Sequence, residues 1–292
     1  MGNTILTPDI IAKEALMVLR NNAVMANLVH RDYSNEFAKV GDTITIRKPA
    51  VFTANEFDGN ITVQDATEGS TTVKIDKHLD TSFAVTSKEM ALDIADFSAQ
   101  FLTPAMQSFA DKIDKYLLAL NIEATNHIAH KSGVVTPSEL IDVRKVLVQN
   151  AAPTADRHFV CGAEAEADLL KDPLFVEADK VGDEGTALRE ASLGRKFGMD
   201  CYCDQNIAKT TEQTTNYTPA IAFHKNAIAL VTRQLELPLG SDKASIVNYD
   251  GFSLRVVYGY DMNTKTDTVS IDMLCGVKLL DDKLIAVIDD QR

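Results

Sequence analysis

Asp42-Thr-Ile-Thr-Ile-Arg47 alternates strictly between polar and apolar side chains, and Ile61 with Val63 repeats the alternation. Beyond a polar stretch from Asp65 to Thr72, Val73, Ile75, Leu79, Phe83 and Val85 all fall on one parity. A period of two with one apolar face is the mark of β-strands that are half buried. The whole segment from 42 to 86 therefore reads as a long strand ribbon. An isolated two-stranded ribbon is marginal at best, because it has no layer of its own to cover the apolar face. No helix or second sheet lies within the segment to receive it, so the predicted receiver is a neighbouring copy of the chain. The apolar side chains expected at that contact are Ile44, Ile46, Phe52, Phe57, Val73 and Ile75.

N-terminal to the ribbon, Thr7-Pro8-Asp9 combines a capping residue, a first-turn proline and an acid, which predicts a helix start. Ile11, Ala15, Leu16 and Leu19 follow at helical spacing, and residues 1–41 read as an arm with one helix. C-terminal to the ribbon, Thr86-Ser-Lys-Glu89 matches a capping box. Phe97, Phe101, Ala105, Phe109, Ile113 and Leu117 then recur every four residues. Pro104 predicts a kink or a restart with Thr103 as the cap. A helix continuing from Pro104 to Ala129 would be roughly 39 Å long, a spine joining separated parts.

Thr136-Pro-Ser-Glu139 is a second capping box, with Leu140, Val143, Leu147 and Val148 expected on the buried face of its helix. His158–Gly162 and Phe197–Cys203 read as strands, and Glu164–Leu170 and Thr186–Leu193 as helices. Interleaving of this kind from 136 to about 235 predicts a small α/β unit. Residues 220–223, 227–232, 252–260, 268–280 and 284–288 are strand-like, with Phe252, Leu254, Val256 and Tyr258 on one face. The expected class is α+β.

Composition restricts the function. The chain has 292 residues and a net charge of −13, which repels phosphate backbones, and no Lys/Arg cluster overrides that. Arg189, Arg195 and Lys196 form the nearest approach to a basic patch and read as solvated or paired side chains. No apolar run is long enough to span a membrane. The first residues, Met1-Gly-Asn-Thr-Ile-Leu6, lack the basic and apolar regions of a secretory signal. Four cysteines, at 161, 201, 203 and 275, are too few for a disulfide framework and read as free thiols.

Candidate chemistry is sparse. His127 and His130 would share a helix face, but no third ligand follows at zinc-site spacing. Cys161 stands near His158 on one strand, where neighbouring positions do not make a nucleophile–base pair. Gly182, Gly185, Gly194 and Gly198 match neither phosphate-loop nor dinucleotide spacing. The acidic group Glu177, Asp179, Asp183 and Glu184 does not match a calcium loop. The expectation is a non-enzyme with no cofactor, metal or catalytic residue.

The order of these parts, together with particular segments, resembles the major capsid (coat) proteins of tailed bacteriophages with the HK97-like fold, the short podovirus-type proteins above all. The segments are Asn3-Thr-Ile-Leu-Thr-Pro-Asp-Ile-Ile-Ala-Lys-Glu14, Val40-Gly-Asp-Thr-Ile-Thr-Ile-Arg-Lys-Pro49, Phe223-His-Lys-Asn-Ala-Ile-Ala-Leu-Val-Thr232, Tyr258-Gly-Tyr-Asp261 and Thr268-Val-Ser-Ile-Asp272. The resemblance implies an N-terminal arm at 1–41, an extended loop at 42–86, and a peripheral-domain spine helix at 87–135. It further implies an axial domain at 136–235 and return strands of the peripheral domain at 236–292. The implied function is self-assembly into an icosahedral shell of pentamers and hexamers around double-stranded DNA that is enclosed without specific binding. Implied partners are a separate scaffolding protein and a portal, with no membrane. Implied locations are the virion capsid and, during assembly, the host cytoplasm. An encapsulin-like nanocompartment shares the fold class and is the alternative; a soluble α/β enzyme built on 136–235 is a third reading.

Overall fold

The computed structural model describes residues 8–31, 43–47, 54, 56, 59, 70–86, 101–129, 135–176, 193–207, 219–238, 243–249 and 252–289. Helix α1 (Pro8–Asn22) buries Ile11, Ala12, Ala15, Leu16 and Leu19, the apolar stripe its sequence predicts. It packs against α3 (Thr103–Leu118), whose own stripe of Ala105, Met106, Phe109, Ala110, Ile113 and Leu117 is buried. Pro104 sits in the first turn of α3, where its missing N–H has no intrahelical partner to lose. The helix restarts there with Leu102, not Thr103, at the cap position. The capping box at 86–89 lies largely outside the described residues, as does Phe97.

The spine helix is shorter than the sequence predicts. At 16 residues, α3 measures about 24 Å and ends at Leu118, passing into a 3-10 turn, Ala119–Glu123. Tertiary pairing takes the chain out of the helix. Strand β4 (His127–Ala129) runs parallel to β13 (Ile285–Asp289), with Val287 opposite His127. Asn126 Nδ2 donates to the carbonyls of Asp282 (2.7 Å) and Ile285 (3.0 Å), and the Thr125 N–H donates to Asp282 Oδ1 at 2.8 Å. His127 therefore stands on a strand and not on a helix face.

The ribbon is also shorter. Strands β1 (Thr43–Arg47) and β2 (Ser70–Lys74) form an antiparallel pair, Thr43 opposite Lys74 and Arg47 opposite Ser70. Strand β3 (Lys77–Thr86) leaves that pair and joins a five-stranded sheet. The other members are β9 (Ile228–Arg233), β10 (Ala244–Tyr249), β11 (Phe252–Asp261) and β12 (Thr266–Leu279). β12 is the organising strand. One edge takes β3 from Thr266 to Cys275; the other takes β11 up to Asp272 and then β9 from Leu274 onward. Phe252, Leu254 and Val256 point into the core shared with α1 and α3.

Six strands form the second sheet, in the order β4, β13, β8 (Ala220–His224), β5 (Arg157–Cys161), β7 (Met199–Cys203), β6 (Arg195–Lys196). Its two faces feed two cores. Val160, Ile221, Phe223, Ile285 and Val287 join the α1–α3 core, whereas Phe159, Cys161, Ala220, Ala222, Ala286 and Ile288 face the helices of the α/β unit. Those helices are α4 (Pro137–Gln149), α5 (Ala163–Lys171) and α6 (Pro173–Val176). The capping box of α4 forms, Glu139 accepting the Thr136 N–H at 3.1 Å. Leu140, Val143 and Leu147 are buried as expected, but Val148 is exposed. The expected unit at 136–235 thus borrows β4 and β13 from outside its bounds and gives β9 to the other sheet. Buried sheets need covered edges as well as faces, and the chain supplies both by crossing between sheets at β8–β9 and β12–β13.

One buried carboxylate ties the arm to this frame. The short helix α2 (Met25–Leu28) starts at Val24, whose side chain cannot cap it. Asp114 on α3 does so from a distance, accepting the Val24 N–H at 2.8 Å and the Ala26 N–H at 3.1 Å. Two residues later His30 bridges Ala229 on β9, its N–H donating to the Ile228 carbonyl and its own carbonyl accepting from Leu230, both at 3.0 Å. Burial, opposed by the backbone donors and reinforced by nearby Asp204, pushes the Asp114 carboxyl up to about 7. A carboxyl raised above its unfolded value binds more protons in the native state, so its contribution to stability is full below about pH 4 and is lost as pH rises to about 7. The stability of the native chain relative to Asp114→Asn should accordingly fall across that window and be flat outside it. Denaturant unfolding of both proteins from pH 4 to 8 checks this; a constant or rising difference contradicts it.

Candidate functional site

Thr43, Thr45, Thr72 and Lys74 are exposed on one face of the β1–β2 pair, while Ile46 and Val73 are buried on the other. Together with Ile75 they pack on Ala229, Val231 and Leu280 of the same chain, with Leu274 alongside. This corrects the expectation that the ribbon finds no receiver within its own molecule. Ile46, Val73 and Ile75 are buried against β9 and the end of β12 of their own chain. The side chain of Ile44 and the whole of Phe52 and Phe57 lie outside the described residues.

A glycine makes this seat possible. A Cβ at Gly276 would collide with the Lys74 carbonyl and lie 3.1 Å from the Ile75 Cα. The ribbon backbone therefore crosses β12 at a distance only glycine tolerates.

Several large apolar side chains remain exposed beyond the ribbon. Ile10 and Met17 lie seven residues apart on one face of α1, and Ile141 and Val148 are spaced alike on α4. Tyr260 and Met262 mark the tip of the β11–β12 hairpin, Met262 being 81% exposed. Scattered exposure of this sort is ordinary on a monomer, but paired positions on a helix face form stripes. The sequence carried a signal for them: Ile10, Met17 and Ile141 fall off the stripes that bury their helices.

The reactive groups are arranged otherwise than a catalytic site requires. His158 and Cys161 have opposite parity on β5 and face different cores. The His158 ring tilts against Tyr202 and Phe223 at centroid distances of 6.0 and 5.8 Å, and burial lowers its pKa. His127 binds the Asp289 carboxylate through Nδ1 at 2.7 Å and the Ala124 carbonyl through Nε2 at 2.6 Å; His130 is outside the described residues. Burial pushes Cys201 up to about 11 and Cys275 up to about 12. Among the described residues no group of three or more His, Cys, Asp or Glu side chains converges as metal ligands would. Arg195 pairs with Asp200 at 3.6 Å, and Arg255 grips Asp272 with both Nε and Nη2.

Comparison with known proteins identifies the architecture. No protein-family model and no curated protein matches the chain. Among solved structures, a chain from Mycobacterium phage Che8 superposes with a TM-score of 0.69 at 18% identity, covering 92% of this chain and 91% of that one. The capsid structure of Cyanophage P-SCSP1u gives 0.66 at 15% identity, covering 91% and 87%. The chain has the HK97-like capsid fold. The same fold carries the likeness to the SrpI encapsulin complex of Synechococcus elongatus, with a TM-score of 0.53 at 12% identity over 85% and 82%.

The seat of the ribbon is open to test. Replacing Gly276 with Val introduces overlap with backbone, which cannot give way as a flexible side chain would. The variant should lose about 1–3 kcal/mol in urea unfolding, a typical overpacking cost. Trypsin should also cut faster at Arg47 and Lys74. Unchanged stability and cleavage would show that the ribbon root is not seated there.

Proposed function

We propose that this chain is the major capsid protein of a tailed phage, a structural subunit that assembles with copies of itself into a closed shell around double-stranded DNA. The observation that carries the reading is a fold shared over about nine tenths of the chain with phage capsid chains, combined with a strand pair whose root is anchored on its own chain. The root, which includes Ile44, supplies rigidity; the segment beyond it, with Phe52 and Phe57, makes the contact to the next subunit. In domain terms, 1–41 is the arm, 42–86 contains the extended loop, 87–135 the spine, 136–235 the bulk of the axial domain, and 236–292 the return strands. The exposed stripes on α1 and α4 and the β11–β12 tip are further contact surfaces in pentamers and hexamers. A scaffolding protein and a portal are the partners in assembly, which takes place in the host cytoplasm. The net charge of −13 suits a lining that encloses DNA without gripping it, since phosphate binding scales with the cations presented.

The likeness to an encapsulin favours one alternative, a nanocompartment that encloses protein cargo. Particles purified from the source discriminate: nuclease-protected DNA inside supports the capsid, and a folded enzyme inside supports the compartment.

Coexpression with a scaffolding protein should yield closed particles by electron microscopy. Replacing residues 50–69 by a two-residue turn should leave a folded monomer with native circular dichroism and no particles. A wild-type chain that stays monomeric under every such condition contradicts the proposal, and normal shells from the shortened chain contradict the role of the loop.

A further inference from the structure

Strands β5 and β7 run parallel and in register, so that Phe159 stands opposite Cys201 and Cys161 opposite Cys203. Residues directly opposite in such a pair point to the same face, and the strand spacing of about 4.8 Å lies within the Cα separations that disulfides span. Both cysteines are the last residues of their strands. The Cys161 thiol is fully buried and donates to the Tyr202 carbonyl at 3.5 Å, with Cys203 opposite it in the strand register. Cys203 is partly exposed and is the more accessible residue of the pair. Cys201 shares the face but is buried, and its thiol is turned to the Met199 carbonyl at 3.8 Å. Cys275 belongs to the other sheet. All four are free thiols in this structure.

We propose that Cys161 and Cys203 are a redox-active dithiol, oxidised to a cross-strand disulfide by a low-molecular-weight disulfide such as oxidised glutathione. The reaction takes two thiol exchanges. The Cys203 thiolate attacks the small disulfide, forming a mixed disulfide and releasing one small thiolate, which takes up a proton. Cys161 then gives its proton to solvent as its sulfur attacks that of Cys203, and the second small thiol departs. Two protein thiols and one small disulfide become one protein disulfide and two small thiols. The Cys203 side chain beside it, together with burial, holds Cys161 as a thiol, which makes the second exchange slow and faster at higher pH. The product staples the ends of β5 and β7 and closes the segment carrying α5 and α6 into a loop, restricting the unfolded chain.

The test is peptide mapping of the purified full-length chain after incubation with oxidised glutathione at several pH values. Acid quenching and alkylation under denaturing, non-reducing conditions precede digestion. The expected result is loss of two of the four alkylatable thiols, a mass lower by two hydrogens, and one linked peptide joining Cys161 to Cys203. The link should form faster as pH rises, be reversed by dithiothreitol, and raise the melting temperature by several degrees. Cys161→Ser should instead retain a stable glutathione adduct on Cys203, and Cys201→Ser should behave as the native chain does. Four alkylated thiols, a link through Cys201, or a mixed disulfide that persists in the native chain would each overturn the proposal; the mapping of the native chain needs no variant to fold.

Discussion

The close passage of the Lys74–Ile75 backbone over Gly276 is the contact on which the remaining architecture turns. It sets where the strand pair leaves the body, and it does so on β12, the strand that also carries β3, β9 and β11. Ile46, Val73 and Ile75 then seal the passage against Ala229, Val231 and Leu280. Nonpolar burial at the root and a polar outer face, Thr43, Thr45 and Thr72, make the root a fixed bracket. A shell subunit needs such a bracket, because a contact made by an extended segment is only as well directed as its anchorage. In the proposed shell, pre-ordering the root would also lower the entropy lost when the rest of the segment binds.

The same economy of parts governs the arm and the second sheet. Asp114 serves as the cap that Val24 cannot provide, so α2 holds its position through α3 and not through its own sequence. His30 adds one bridge to β9, which places the arm beside the strand that seats the ribbon. The six-stranded sheet connects the two larger cores because successive residues of β8 and β13 face opposite sides, Ile221 and Phe223 to one and Ala220 and Ala222 to the other.

How much of this was legible in the sequence depended on how local the cause was. The 252–260 and 268–280 strands were readable from period-two patterns, and α1, α3 and α4 from apolar spacing with caps. β10 was missed because Ala244-Ser-Ile-Val-Asn-Tyr249 is half exposed and has no clean alternation. The end of α3 was misread because Leu117 and Leu120 continue the helical stripe, while the pairing that ends it comes from Asp282, Ile285 and Val287, far along the chain. The described parts of the ribbon, 43–47 and 70–86, are strands as their alternation predicts, yet the receiver was assigned to another subunit, since Ala229, Val231, Gly276 and Leu280 carry no mark in sequence that they form a seat. Of the exposed residues on α1 and α4, Ile10, Met17 and Ile141 are legible as lying off the buried stripes, whereas Val148 is not, since helical spacing places it with Leu140, Val143 and Leu147.

The central claim is that one anchored strand pair serves two molecules, its root belonging to its own subunit and its outer segment to the next. Electron cryo-microscopy of the assembled particle tests this most directly. The account predicts density in which β1 and β2 sit on β9 and β12 of their own chain, with residues 50–69 laid against the adjacent subunit. A map in which 50–69 folds back onto its own chain, touching no other copy, would contradict it.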